Sequence, residues 1–277
     1  MSKVFAVVLN YNSFEDTKKC VGFLKKQEQA DLEICVVDNC SLDHTPAELE
    51  EYARQNQILF IANHENKGFS AGNNVGLRKA AELGYEYALI INPDVELHDN
   101  NYVRDVILQM DKDKSIAVLG TDVINKKEQH QNPMRELFFF EEVCWPYISI
   151  RNRVKKTLPY VKNYKKSGYC KKLSGCCFFI RLSFAKEIDY LDENVFMFSE
   201  EPLLAAAVKE KGYKEYYMAS QHAYHMHKDK PKEGNKDNIH RFFESRKYYL
   251  KKTNKYGKLG NKIAFFALSK QEKHLVK

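Results

Sequence analysis

Short apolar runs bounded by polar residues recur through the first 120 positions, and segments with helical spacing separate them. Residues 4–9 and 88–91 are continuous apolar stretches, and 32–37 is apolar apart from Glu33; all three read as strands buried on both faces of a sheet. Residues 58–62 and 116–120 read as two further strands. Between them, 14–27 carries Cys20, Val21, Phe23 and Leu24 at the spacing of a helix face. Thr45-Pro46-Ala47-Glu48 has the form of a capping box with proline at the first helical position, opening a helix to about Arg54. A glycine-punctuated stretch leads into a helix ending near Gly84, and 102–110 is again helical. This alternation predicts a parallel, doubly wound α/β sheet. Alternation fades after Asp122 and returns with a strand over 173–180, a helix from Ser199 to Gly212, a strand over 213–218 and a last helix over 239–256.

Several strands stop at polar residues. Residues 88–91 end at Asn92-Pro93-Asp94, where proline forbids continuation of the ladder. Asp94 is thereby delivered just past the carboxyl end of a core strand, the edge where open α/β sheets bind ligands. A hard divalent cation takes one or two protein oxygens and completes its shell with diphosphate and water, so Asn92 and Asp94 suit one; taken alone, the tripeptide reads more simply as a turn. Asn10-Tyr11-Asn12 and Asp38-Asn39-Cys40-Ser41 end two earlier strands. The loop Asn66 to Gly76 offers backbone N–H groups to a phosphate, although helix packing explains Gly72 and Gly76 as well. Its glycines match neither the dinucleotide fingerprint nor the P-loop, which removes the main support for hydride transfer and P-loop phosphoryl chemistry. Asp111-Lys112-Asp113 is a literal D-x-D, but it ends a helix before a strand and is expected at the wrong edge of the sheet.

Further along, Ser199 precedes Glu200 and Glu201 in a first helical turn, where acids complement the helix dipole without any further role. His222, His225 and His227 follow the next strand; their spacing fits no structural zinc pattern, and any one of them suits a single metal ligand.

Composition narrows the setting. The chain has 277 residues, a formal charge of +7 and seven cysteines with no C-x-x-C pair. The odd thiol count argues against a disulfide framework and for a reducing, cytoplasmic location. No signal peptide or membrane span is expected. Between Trp145 and Lys172 lie Arg151, Arg153, Lys155, Lys156, Lys162, Lys165, Lys166, Lys171 and Lys172 without one acid, and the tail from Lys228 is also lysine-rich. A nucleic-acid footprint, a face for anionic lipid and a plain solvated surface all fit that segment. The basic residues lie outside the strand-end motifs, so nucleic acid ranks last.

Taken together, Val-Val-Leu-Asn-Tyr-Asn at 7–12, Val-Asp-Asn-Cys-Ser at 37–41, the loop at 66–76 and Ile-Asn-Pro-Asp-Val-Glu at 91–96 resemble glycosyltransferase family 2. These are inverting nucleotide-sugar transferases of the GT-A fold, and the resemblance is closest to the subgroup that builds bacterial surface polysaccharides, rhamnosyltransferases among them. It implies a Rossmann-like, mostly parallel central sheet in a catalytic domain over 1–227, with a nucleotide-binding half at 1–120, an acceptor-binding half at 121–227 and a basic helical extension at 228–277. It implies that Asn10, Tyr11 and Asn12 line the nucleotide, that Asp38 bonds the pyrimidine, and that Asn66, Gly68, Asn73 and Asn92 border ribose and diphosphate. Asp94 becomes the acid that binds Mg²⁺ or Mn²⁺, with His225 assisting. Glu201 takes the position of the catalytic base and Glu200 that of its supporting neighbour. The implied partners are a UDP- or dTDP-sugar donor and a glycan or polyprenyl-diphosphate-linked acceptor, met at the inner face of an anionic membrane. Pro202, Leu203 and Ala207 depart from the family pattern, which often has a second acid and an arginine there. A catalytically silent nucleotide-sugar-binding partner of another transferase is the alternative.

Overall fold

The structure is a computed structural model that describes residues 2–42, 44–144, 163–227 and 235–276. Trp145 and the basic residues Arg151, Arg153, Lys155, Lys156 and Lys162, with the tail at 228–234, lie outside the described residues.

Four parallel strands form the first half: β1 (Lys3–Asn10), β2 (Asp31–Asp38), β3 (Leu59–Ala62) and β4 (Tyr87–Ile91), in the order β3-β2-β1-β4. Their side chains are buried on both faces, as continuous apolar runs require: Val4, Ala6 and Val8 enter one core, Phe5 and Val7 the other. Helices α1 (Phe14–Leu24), α2 (Thr45–Asn56), α3 (Phe69–Glu82) and α4 (Tyr102–Lys112) connect or follow these strands. Helix α3 lies close on the sheet because a Cβ on Gly76 would come within 2.5 Å of Val7 Cγ1, and one on Gly72 within 2.6 Å of Leu9 Cδ1. Packing therefore accounts for those two glycines.

Beyond β4 the sheet is mixed rather than parallel. Strand β8 (Cys177–Arg181) runs antiparallel between β4 and β6 (Ile116–Asn125), and β6 pairs in parallel with β9 (Lys214–His225). Two short strands, β5 (Val95–Glu96) and β7 (Gly168–Cys170), pair antiparallel with β9. The strand expected over 173–180 starts only at Cys177, and residues 173–176 form a turn leading into it. The strand expected to end at Met218 continues to His225.

The capping box at Thr45 does not form. The N-cap position falls on His44, which makes no side-chain cap and instead lies 3.4 Å from Glu48. After α5 (Phe139–Val143) and α6 (Leu182–Glu187) comes α7 (Glu200–Glu210), with Ser199 at its N-cap. Ser199 does not cap through its hydroxyl; Phe198 and Ser199 both take left-handed backbone, φ 70° and 62°, to swing the chain into the helix. Such conformations cost on the order of 1–3 kcal/mol each and persist where packing over-determines them. Here the Phe198 ring meets the edge of Phe242 at 5.6 Å.

The single last helix expected from the sequence is a pair, α8 (Asn235–Thr253) and α9 (Gly257–Leu275). Together they bury Phe243, Tyr249, Leu250, Ala264 and Leu268 against Val195 and Leu203. Leu203 of α7 is thus covered by this helical pair, a setting that suits an apolar side chain and not an acid.

Candidate active site

Side-chain hydrogen bonds tie together the polar residues at the carboxyl ends of β1 and β2. Asn10 Nδ2 donates to Asp38 Oδ1 at 2.6 Å, and Ser41 donates to Asp38 through its hydroxyl (2.6 Å) and its backbone N–H (2.9 Å). Asp38 is almost fully buried, so its carboxylate is occupied in holding this edge. Asn12 joins the same edge: its N–H donates to Ser41 Oγ at 2.8 Å and its Oδ1 accepts from Leu42 N–H. Tyr11 stands 42% exposed at the mouth. Asn39, which the sequence reading did not single out, donates to Asn66 Oδ1 (2.9 Å) and to the Gly68 carbonyl (3.2 Å), and Asn66 also accepts the Gly68 N–H. Gly68 has φ 97°, and a Cβ there would lie 2.0 Å from the Phe196 carbonyl oxygen, so only glycine lets this loop close on the segment before α7. Asn73 is buried; its Nδ2 donates to the Phe69 carbonyl while Oδ1 has no partner.

The turn after β4 carries a group of three ionisable side chains, Asp94, His225 and His227. Pro93 stops the ladder at Ile91, and the Asp94 carbonyl accepts the N–H of Met226 at 2.7 Å, which draws the end of β9 across the turn. His225 Nε2 lies 3.4 Å from Asp94 Oδ1, and His227 Nδ1 lies 3.0 Å from Oδ2. Burial opposes protonation of His225, but Asp94 and the Cys176 sulfur outweigh it, and its pKa is pushed up to about 10. Burial likewise works against ionisation of Asp94, yet the two imidazoles hold its carboxyl below the usual range. His222 does not join this group; it lies 3.8 Å from the buried Asp122. Asp111 is at the opposite edge, accepting from Ser2 Oγ and from Tyr87 at the start of β4, as expected of the false D-x-D.

Would this trio hold a divalent ion? His225 Nδ1 faces Gln131 Oε1 at 3.0 Å, which makes Nδ1 the donor and turns Nε2 toward Asp94. Nε2 is buried without a hydrogen-bond partner. Metal-bound histidines are oriented in this way, by donating their other N–H to an oxygen acceptor. Cis ligands about 2.1 Å from an octahedral ion are about 3 Å apart, close to the 3.0 and 3.4 Å found here. The residues fit.

The second acidic group faces the first across three residues, Ser174-Gly175-Cys176. The Cys176 carbonyl accepts the Asn92 N–H at 2.8 Å, and the Gly175 N–H points at Glu201 Oε1 at 3.5 Å. Phe69, Gly175, Glu200, Glu201 and Glu215 line one small pocket at this junction. Asp94 and Glu201, far apart in the sequence, therefore flank the same short segment. Burial, then the adjacent Glu201 carboxylate, push Glu200 up to about 8, and its Oε2 has no partner. Both causes favour the protonated form of Glu200. A folded-state pKa raised above the unfolded value means that stability falls as pH rises from about 4.5 to 8. Glu200→Gln removes that slope: its melting temperature should gain steadily on the parent across this window and run parallel above it. Melting curves at several pH values measure this, and a gap that stays constant refutes it.

Residues 5–188 match the profile of glycosyl transferase family 2. The chain belongs to that family. Among curated relatives of this family-2 chain, a low-salt glycan biosynthesis hexosyltransferase, Agl10 of Haloferax volcanii, is 26% identical over 199 residues, covering 70% of this chain and 58% of the relative. The glycosyltransferase GlyG of Streptococcus pneumoniae is 27% identical over 122 residues, 43% of this chain and 39% of that protein. The chain thus spans well under two thirds of either relative's length. Among solved structures, the mannosyltransferase PcManGT from Pyrobaculum calidifontis, in complex with GDP-Man and Mn²⁺, superposes with a TM-score of 0.63 at 15% identity, covering 96% of this chain and 73% of that one. TarS of S. aureus (residues 1–349), in complex with UDP-GlcNAc, gives 0.60 at 17% identity over 89% of this chain and 65% of that one. Both likenesses are of fold, and that fold is GT-A.

His227 is the site residue that the sequence reading left undecided. Its signal was the alternation His225-x-His227: residues two apart on an extended chain face the same way.

Proposed function

We propose that this family-2 chain transfers a hexosyl or deoxyhexosyl unit from a UDP- or dTDP-sugar to a hydroxyl of a glycan or polyprenyl-diphosphate-linked acceptor, with inversion, in assembly of a bacterial surface polysaccharide. The reading places it in the cytoplasm, against the inner face of the membrane. The observation that carries the proposal is the pairing of Asp94-His225-His227 with Glu201 across Ser174-Gly175-Cys176.

Asp94, His225 and His227 would hold the divalent ion, and two imidazoles beside one carboxylate favour Mn²⁺ over the oxygen-seeking Mg²⁺. Such an ion acts as a Lewis acid, neutralising charge on the departing diphosphate. The remaining work falls to the protein. Glu201 accepts the proton of the acceptor hydroxyl while that oxygen attacks the anomeric carbon. The Gly175 N–H steadies the carboxylate, and Glu200 beside it, in its favoured protonated form, adds no second negative charge. One displacement from the face opposite the leaving group inverts the anomeric centre. Asn10, Asn12, Asp38, Asn66 and Gly68 shape the nucleotide-binding edge, with Tyr11 at its mouth. Asn92 and Asn73 border the diphosphate.

The departures at Pro202 and Leu203 fit packing, since both are buried and Leu203 joins the cluster under the C-terminal helices. They therefore give little weight to the reading of a silent sugar-nucleotide binder.

Melting the protein with UDP, dTDP, GDP and CDP, each with and without Mn²⁺, tests the donor site. A ligand that binds only the folded state raises the melting point, so one diphosphate should stand out and do so more strongly with Mn²⁺. If none of the four moves the transition, the donor assignment fails.

A further inference from the structure

Helix α9 is apolar on two sides. Its inward side, Asn261, Ala264 and Leu268, is buried among α8 and the segment leading into α7. On the other side Leu259 is 73% exposed, Ile263 46% and Phe266 66%. Steps of four and three residues put these on one outward stripe. Nothing among the described residues covers it. Phe139 packs edge-on against Tyr256 at 5.2 Å at the start of this helix, and the adjacent Phe138 is 71% exposed.

Charge identifies what covers the stripe. Lys258, Lys262, Lys270 and Lys273 are exposed on this helix. Its one acid, Glu272, turns inward to His240 (2.7 Å) and Lys247 (3.0 Å). Lys270 lies over the Phe266 ring at 5.4 Å, its stem along the apolar face and its ammonium at the rim. A second copy of the chain would bring like charges together on this face. No helix among the described residues is long and apolar enough to cross a membrane. An apolar stripe flanked by lysines is the surface that lies in the interface plane of an anionic bilayer, with side chains among the acyl chains and ammonium groups on phosphates.

We propose that α9 docks the protein on anionic lipid through Leu259, Ile263 and Phe266, with Lys258, Lys262, Lys270 and Lys273 on the headgroups. Helix α8 lies between α9 and α7, so with packed helices about 8–10 Å apart the Glu201 end of α7 stands roughly 20 Å above the lipid. The inference deepens the acceptor reading given above but is independent of the donor and base assignments. A chain that binds vesicles and transfers nothing keeps it, and a transferase indifferent to vesicles loses it.

Co-sedimentation of the full chain with phosphatidylglycerol–phosphatidylcholine vesicles tests it, against pure phosphatidylcholine. Binding should require the anionic lipid and weaken with salt. The double variant Leu259→Ser/Phe266→Ser should lose affinity about tenfold or more, and Lys262→Glu/Lys270→Glu should lose the preference for anionic lipid. All four positions are exposed, so circular dichroism and melting should match the parent. Three results overturn the proposal. They are no co-sedimentation at low salt, undiminished binding by Leu259→Ser/Phe266→Ser (which would assign it to other basic segments), and a parent dimer that this variant makes monomeric without any vesicle binding.

Discussion

Glu201→Gln should leave the protein folded, binding nucleotide diphosphate as the parent does, and transferring sugar roughly 10²–10⁴-fold more slowly, the range in which positioned general bases contribute. In barrier terms that is about 3–5 kcal/mol. Glutamine keeps the length and the acceptor oxygen that faces the Gly175 N–H, so the pocket around Phe69 and Glu215 need not rearrange. What it lacks is basicity. The loss should fall on kcat, because the proton moves only as the acceptor attacks. Initial rates across acceptor concentrations, beside calorimetric nucleotide binding, separate this from a donor-site defect. Transfer at the parental rate would remove Glu201 from the proposed role, and Glu200, whose protonated form is favoured by burial, is poorly suited to replace it.

The second large effect concerns the ion. Asp94→Asn should abolish the extra Mn²⁺-dependent rise in melting temperature with nucleotide and slow transfer by at least about 100-fold, since the Lewis-acid contribution amounts to several kcal/mol. The parent treated with EDTA should fall to a similar rate and recover with added Mn²⁺. Asn preserves the shape of the turn, including the backbone bond from Met226 N–H to the residue 94 carbonyl, so the strand pairing of β5 with β9 survives. A parent indifferent to EDTA, or an Asp94→Asn variant that still responds to Mn²⁺, would count against Asp94, His225 and His227 as an ion site.

The first half of the fold was legible in the chain because its strands are buried on both faces. Residues 4–9 and 88–91 are wholly apolar and 32–37 carries only Glu33 near its start, and the polar residues that ended them lie on the edge that now carries the site. The second half was harder to read for a physical reason. Leu173 to Cys176 lead straight into the apolar run of β8, yet Gly175 turns its N–H to Glu201 rather than to a strand. Strand β9 was cut short at Met218 because Gln221, His222 and His225 look like surface. They are instead engaged by Asp99 and Asp105, Asp122, and Gln131. With the strand truncated there, the alternation that points His225 and His227 the same way could not be applied. Helix α9 escaped notice because a stripe on each side leaves no single amphipathic period.

The main-chain segment between the two acidic groups acts as a gauge. Cys176 is fastened to the turn that presents Asp94, and Gly175, one Cα step of 3.8 Å away, faces Glu201. On the main-chain side, the spacing of the proposed leaving-group end and the proton-accepting end thus rests on a single peptide step. Under the proposed function, that one peptide step links the turn that would hold the donor to the helix that would activate the acceptor, so a shift of either is felt at the other.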